Sequence, residues 1–278
     1  MLPKPNDGFA WVQAPAGPAL VCRALQPFAD HLFTTRGWAL GFAPGPAPGS
    51  AWDEVARALA VAPSNLVRAH QVHGASVLVR RASEVAPGAG TPHDRPDADI
   101  LVSDDRRLAL AIQTADCVPL LMADRRTGAV AAVHAGWRGL AARVPVVAVE
   151  ALTREFGSRP ADLVVAIGPS ISAALYEVGV DVRERFAASG CSVVQVATWF
   201  ADADRPSHWH FDGWRSGRDL LEAAGVPAGQ IHVAGLCTAR HPDLLCSYRR
   251  DGMGAGRVAG AIRARDTGVT TLVSGSAS

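Results

Sequence analysis

Cysteine is sparse and scattered in this chain. The 278 residues hold five, at positions 22, 117, 191, 237 and 246, with no CxxC spacing. An odd, dispersed set excludes a disulfide framework or a zinc knuckle as the organising device. No apolar run approaches the roughly 18 residues of a membrane span, and Met1-Leu2-Pro3-Lys4-Pro5-Asn6-Asp7-Gly8 has no apolar signal region. A cytoplasmic protein without membrane contact is expected. Long basic tracts are missing too. The Arg pairs at 80–81, 106–107, 125–126 and 249–250 are isolated and the formal net charge is +1, so no nucleic-acid partner is expected.

What is present is a globular composition, 49% hydrophobic and 19% charged, in a chain long enough to bury a large core. No composition break or internal repeat divides it, and a single domain over 1–278 with its core at about 30–265 is expected, as a monomer or weak homodimer. Residues 42–50 and 84–97 read as Pro/Gly loops. Ser50 precedes Ala51-Trp52-Asp53 as an N-cap, predicting a helix to about Ala60. Leu66 to Arg80 reads as strand on both sides of Gly74. Short apolar runs predict strands at Ile100–Ser103, Leu108–Thr114, Val118–Met122 and Ala129–His134, the last two joined by a polar turn. Leu163–Ile167, Ser192–Ala197, Ile231–Ala234, Leu244–Tyr248 and Val258–Ile262 are further strand candidates. Helices are expected from Arg138 to about Phe156, with a kink or restart at Pro145, within 174–188, and from Gly217 to Ala224. Residues from Thr270 onward are expected to fray. Strands outnumber helices and cluster, which favours an α+β fold with mixed sheets.

Three segments carry the chemistry. They read Gln71-Val72-His73-Gly74, Thr114-Ala115-Asp116-Cys117-Val118-Pro119 and His134-Ala135-Gly136-Trp137-Arg138-Gly139. A lone His on a strand is more often structural than a ligand, and a lone Cys is most often a small buried hydrophobe. The combination changes the weighing. Cys117 begins a strand, and His134 ends the next one 17 residues later, so a hairpin brings both to one end of a sheet. His73 has to arrive from elsewhere, with Val67, Ala69, Gln71 and His73 on one strand face by the period of two. One Cys and two His suit a three-ligand zinc with an open position or a Cys–His nucleophile pair. Arg138 sits where a helix should begin and is a candidate phosphate ligand, although an Arg covering Trp137 at the surface is equally simple. Arg36 and Arg249 lie in other Arg-bearing turns.

These segments, together with Phe33-Thr34-Thr35-Arg36-Gly37, Ala98-Asp99-Ile100-Leu101-Val102, Gly168-Pro169-Ser170-Ile171, Tyr176-Glu177-Val178 and Ser247-Tyr248-Arg249-Arg250-Asp251, resemble in order the YfiH/laccase-domain family. Its members were long named multicopper polyphenol oxidases and are regarded as zinc-dependent purine nucleoside phosphorylases with adenosine deaminase and methylthioadenosine phosphorylase activities. The resemblance implies a four-layer α/β/β/α sandwich with mixed β-sheets, similar to the catalytic domain of cytotoxic necrotizing factor. It implies a zinc held by His73, Cys117 and His134, which also line the site for a purine nucleoside (adenosine, inosine, guanosine or methylthioadenosine) and phosphate. Gln71 and Arg36 join Arg138 as candidate substrate or phosphate ligands, and Asp116 or Asp99 as a proton shuttle. The chain departs from the family pattern at Gly37-Trp38, at Asp212 to Gly217 and at Leu245-Cys246, all outside the metal trio. The H-x-E and P-C-x-x-C deaminase signature is absent, so any deaminase chemistry is built differently. A copper polyphenol oxidase fits the trio in kind but needs a further His-rich cluster, which no repeated H-x-H pairs supply beyond His208-Trp209-His210. A hydrolase or deamidase with Cys117 as nucleophile and His134 as base, and a non-enzymatic binding protein, stand as further alternatives.

Overall fold

The computed structural model describes residues 2–41, 51–84 and 95–265. Most of the two expected Pro/Gly loops, Ser50 and the residues from Thr270 onward lie outside them. The chain opens with β1 (Phe9–Ala14), β2 (Gly17–Cys22) and β3 (Ala29–Phe33), then α1 (Ala51–Ala58), β4 (Leu66–Val67) and β5 (Val77–Arg80). The central run is β6 (Ile100–Ser103), β7 (Ala109–Thr114), β8 (Val118–Asp124) and β9 (Val130–Ala135), followed by α2 (Trp137–Ala141), α3 (Val144–Phe156) and β10 (Leu163–Ile167). The last third holds β11 (Glu177–Gly179), α4 (Val180–Ala187), α5 (Val193–Ala197), β12 (Phe200–Asp202), β13 (His208–Phe211), α6 (Gly213–Ala223), β14 (Ile231–Val233), α7 (Tyr248–Asp251) and β15 (Val258–Ala264).

Two six-stranded mixed sheets face each other, ordered β1-β2-β3-β15-β7-β4 and β14-β10-β8-β9-β6-β5, with a small β11-β13-β12 sheet beside them. Strand alternation explains the layering. Leu110 and Ile112 of β7 and Leu121 and Ala123 of β8 meet between the sheets with Phe33, Val164 and Ile262. The intervening Ala109 and Ala111 pack outward with Val55 of α1 and nearby Leu59. Leu120 and Met122 pack on the opposite outer face with Val149 and Leu152 of α3 and Leu220 of α6. Both faces of β8 and β9 are therefore buried, which is why they read as continuous apolar runs. The result is the expected α+β fold with helices outside two sheets.

Several expectations change. Strand pairing does not continue across Gly74: residues 68–76 leave the sheet, and His73 adopts φ 60, so it shares no strand face with Val67. Ser192–Ala197 is helical, because the Ser192 hydroxyl accepts the Gln195 N–H as an N-cap and only Val196 is buried. Leu244–Tyr248 forms no strand. Leu245 and Cys246 are buried in a turn, and Ser247 caps α7 by accepting the Arg250 N–H. Helix α6 starts four residues earlier than expected, where Asp212 accepts the Arg215 N–H. Pro145 marks a restart: α2 ends, and α3 begins with Pro145 in its first turn, where a missing N–H costs nothing. Strands β1–β3 were not foreseen. Among the described residues no helix is long and apolar enough to cross a membrane.

Candidate functional site

The hairpin of β8 and β9 does what its spacing predicts. Val118 pairs with Ala135 and Pro119 with His134, so Cys117 and His134 meet at one sheet end. His73 reaches them from the loop between β4 and β5. That loop is folded around one buried carboxylate. Asp99 accepts the backbone N–H of Val72 (3.3 Å), His73 (3.1 Å) and Gly74 (2.7 Å), which replaces the missing strand ladder and holds His73 in its left-handed conformation. The same carboxylate lies 2.7 Å from His134 Nδ1. A carboxylate only accepts, so Nδ1 carries the proton and Nε2 is left free for the sulfur side.

The donor atoms of His73, Cys117 and His134 lie within 4.8 Å of one another, and the two imidazole rings meet edge to face with centroids 4.8 Å apart. Gly136 makes room for them. A Cβ there would lie 2.9 Å from Cys117 Sγ and 3.3 Å from His73 Cδ2. Tetrahedral zinc asks for donor atoms roughly 3.3–3.6 Å apart, so small side-chain rotations suffice and the soft thiolate–imidazole set fits a metal of that class. Burial pushes the Cys117 thiol up, but the imidazoles of His134 and His73 override it and hold the thiol below its ordinary range. Burial pulls His134 down, but the Cys117 sulfur and the Asp99 carboxylate override it and raise the imidazole. A deprotonated sulfur beside two nitrogens is the electrostatic state that either a metal or a nucleophile pair requires. Among the described residues this is the one cluster of three or more His, Cys, Asp or Glu side chains with metal-binding spacing.

The trio opens into a cleft of about 900 Å³ whose wall includes Gln71, Asp97, Gln113, Asp116, Tyr176 and four arginines, Arg95, Arg138, Arg249 and Arg257. Arg138 is exposed and stacks 4.2 Å from the Trp137 ring centroid at the start of α2. Gln71 lines the cleft, but its amide bonds twice with Gln113, donating to the carbonyl and accepting the N–H, both at 2.8 Å. Asp116 takes φ 89, and both its oxygens are engaged: one accepts the Thr238 hydroxyl at 2.5 Å, the other the Arg249 N–H at 2.6 Å. It ties the cysteine turn to α7. Arg36 is absent from the cleft wall. Its guanidinium bonds Asp251 at 3.1 Å and the Pro242 carbonyl, which anchors α7 instead. Neither Arg95 nor Arg257 stands out in sequence, since each is a single Arg, Arg95 in a polar loop and Arg257 in a Gly-rich turn just before β15. Only the approach of distant loops brings them to the cleft.

The family model described as multi-copper polyphenol oxidoreductase laccase matches residues 50–265. A protein of Bacteroides thetaiotaomicron named purine nucleoside phosphorylase is 39% identical over 59% of this chain, and the match spans 60% of that relative's length. A Deinococcus radiodurans protein of the same name is 36% identical over 88% of this chain and 92% of its own. Among solved structures, the hypothetical protein YfiH of Bacillus licheniformis superposes with a TM-score of 0.82 at 27% identity, covering 93% of this chain and 100% of that one. YlmD from Geobacillus stearothermophilus gives 0.78 at 28% identity, covering 92% and 99%. With a Cys–His–His cluster held by one buried aspartate at the end of a sheet hairpin, and with these matches along most of its length, the chain belongs to the YfiH/laccase-domain family.

Proposed function

We propose that this chain is a zinc-dependent purine nucleoside phosphorylase that also deaminates adenosine. The observation that carries this is a single cleft joining the Cys117–His73–His134 cluster to four arginines. Soft donors beside a cationic wall suit a purine and an anion together, and the volume of about 900 Å³ falls in the range of small-molecule sites. The names of the Bacteroides and Deinococcus relatives support the same activity. His73, Cys117 and His134 would hold the zinc, which when bound supplies Lewis acidity at an open position. Asp99 keeps His134 in the tautomer that presents Nε2 and keeps the His73 loop closed. Arg138 holds phosphate against the anomeric carbon, so that catalysis is mostly positioning and charge stabilisation. Adenosine, inosine, guanosine and methylthioadenosine are the substrates to test. The experiment is elemental analysis of purified protein combined with a nucleoside-plus-phosphate product screen. Zinc at one per chain with phosphate-dependent release of base is expected, and equal release without phosphate would reduce the activity to hydrolysis.

A Cys117 nucleophile with His134 as its base is the second reading, favoured by the lowered thiol and raised imidazole. Cys117→Ser separates the two. Lost zinc marks a ligand, while retained zinc with lost turnover marks a nucleophile. Copper outcompetes zinc at most such sites in vitro, so copper-soaked protein is expected to oxidise phenols weakly and as-isolated protein not at all. Robust oxidation by as-isolated, copper-containing protein would reverse this assignment.

A further inference from the structure

Phosphorolysis of a purine nucleoside needs one group that the metal trio and the arginines do not supply. When the bond from C1′ to N9 breaks, its electron pair moves into the purine, and the base departs readily only if its imidazole ring gains a proton at N7. Of the two carboxylates beside the trio, Asp99 is closed around four protein donors and Asp116 has both oxygens engaged. Burial, with the nearby Cys117 sulfur, drives the Tyr176 phenol far above neutral, so it is a poor proton donor.

The same cleft wall carries a His–Asp pair outside the trio. His70 Nδ1 lies 2.8 Å from Asp97 Oδ1, and both residues line the cleft. The pair is held by backbone on both sides. His70 N–H donates to the Pro96 carbonyl at 3.0 Å and Ala98 N–H donates to the His70 carbonyl at 3.0 Å, a parallel bridge that sets His70 against Asp97. The carboxylate fixes the proton on Nδ1, which leaves Nε2 as the exchanging position. The His70 side chain is 71% exposed, so it is reachable from the cleft mouth and is not a packed core imidazole.

We propose that His70, oriented by Asp97, is the proton donor to the departing purine. The proposal rests on the phosphorylase function proposed above. The C1′–N9 bond breaks as a phosphate oxygen bonds C1′. Imidazolium Nε2–H passes its proton to purine N7. The hydrogen of the attacking hydrogen phosphate then returns to Nε2, so the products are neutral base and ribose 1-phosphate, and the histidine is restored. Arg138 and Arg249 on the same wall are left to hold the phosphate, so His70 is free to serve the base.

The test compares inosine with 7-methylguanosine, whose purine already carries the positive charge and needs no proton at N7. Wild type, His70→Gln and Asp97→Asn are assayed with both nucleosides and saturating inorganic phosphate. General acid catalysis contributes typically about 10²- to 10⁴-fold, so His70→Gln should lose at least about 100-fold in kcat on inosine. On 7-methylguanosine its loss should stay within about threefold. Asp97→Asn should show a smaller loss with the same selectivity. Metal content and thermal unfolding, measured alongside, should match wild type because both side chains are exposed. An equal loss on both nucleosides would mean that His70 only positions substrate, and no loss on either would also overturn the proposal. Wild type that cleaves neither nucleoside with phosphate would overturn the phosphorylase function first, and the proton donor with it.

Discussion

Replacing Asp99 by asparagine should damage the site more than any change of equal size on its surface. Asp99 is fully buried and accepts from four donors, the N–H groups of Val72, His73 and Gly74 and Nδ1 of His134. Asparagine has the same shape but only one accepting atom, so in either orientation an NH₂ faces donors. If the amide oxygen faces His134, the N–H of Gly74 (2.7 Å) and of Val72 (3.3 Å) lose their partner and the loop loosens. If the NH₂ faces His134, the imidazole must move its proton to Nε2, the atom needed by a metal. Hydrogen bonds to a charged group contribute about 1.5–3 kcal/mol each, and the Val72 contact is long, so about 3 kcal/mol of stability should be lost. That corresponds to roughly 6–12 °C in Tm. Metal affinity should fall about 10- to 100-fold, the usual cost of removing the partner of a ligating histidine. Competition with a chromophoric chelator and thermal unfolding of metal-free protein measure the two effects separately. An Asp99→Asn protein with wild-type affinity and wild-type Tm would refute the role assigned to this carboxylate.

Gly136→Ala should disturb the metal with little effect on folding, because its Cβ would come 2.9 Å from Cys117 Sγ; at least a tenfold weaker zinc affinity with an unchanged far-UV spectrum is expected, and full affinity would show that the sulfur has room to move. His31 should make the protein acid-sensitive. Its Nε2 accepts the Cys22 N–H at 2.8 Å and its Nδ1–H faces the Ala29 carbonyl at 3.1 Å, an arrangement only the neutral ring can make, and burial lowers its pKa from 6.5 to about 4. Below pH 6.5 the unfolded chain takes up a proton that the folded one refuses, so stability falls as pH drops from 6.5 to 4. At about 1.4 kcal/mol per pH unit the loss reaches about 3 kcal/mol. Urea unfolding at pH 7.5 and pH 4 should show this in wild type and less in His31→Gln; parallel pH dependences would refute it. Arg138→Ala should raise the phosphate KM about 10- to 100-fold if its charge-assisted contact is worth about 1.5–3 kcal/mol, and an unchanged KM and turnover would move the anion site to Arg95, Arg249 or Arg257.

Local order along the chain determined the reactive pair. Two apolar runs joined by a short polar turn can only fold back as a hairpin, so the meeting of Cys117 and His134 followed from their spacing. The buried strands of the centre were legible for the same reason, since β7, β8 and β9 sit in the fold with both faces covered. Short runs were ambiguous. Val193 to Ala197 is equally apolar as strand or helix, and the Ser192 cap decided it. Strand β3 was invisible because what stabilises it lies at the other end of the chain: β15 pairs with it, and Arg263 and Arg265 reach Asp30 there. Only the tertiary structure could bring His73 to the sulfur, because its position depends on a left-handed turn closed by a carboxylate 26 residues away. It also decided which arginines matter. Arg36 was drawn out of the cleft by Asp251, while Arg95 and Arg257 were carried into it by loops that sequence spacing does not relate. Residue types and short spacings specify what a pair of neighbours can do. Long-range loop closure, whose entropy grows only slowly with length, leaves the rest to whichever buried polar group must find its partners.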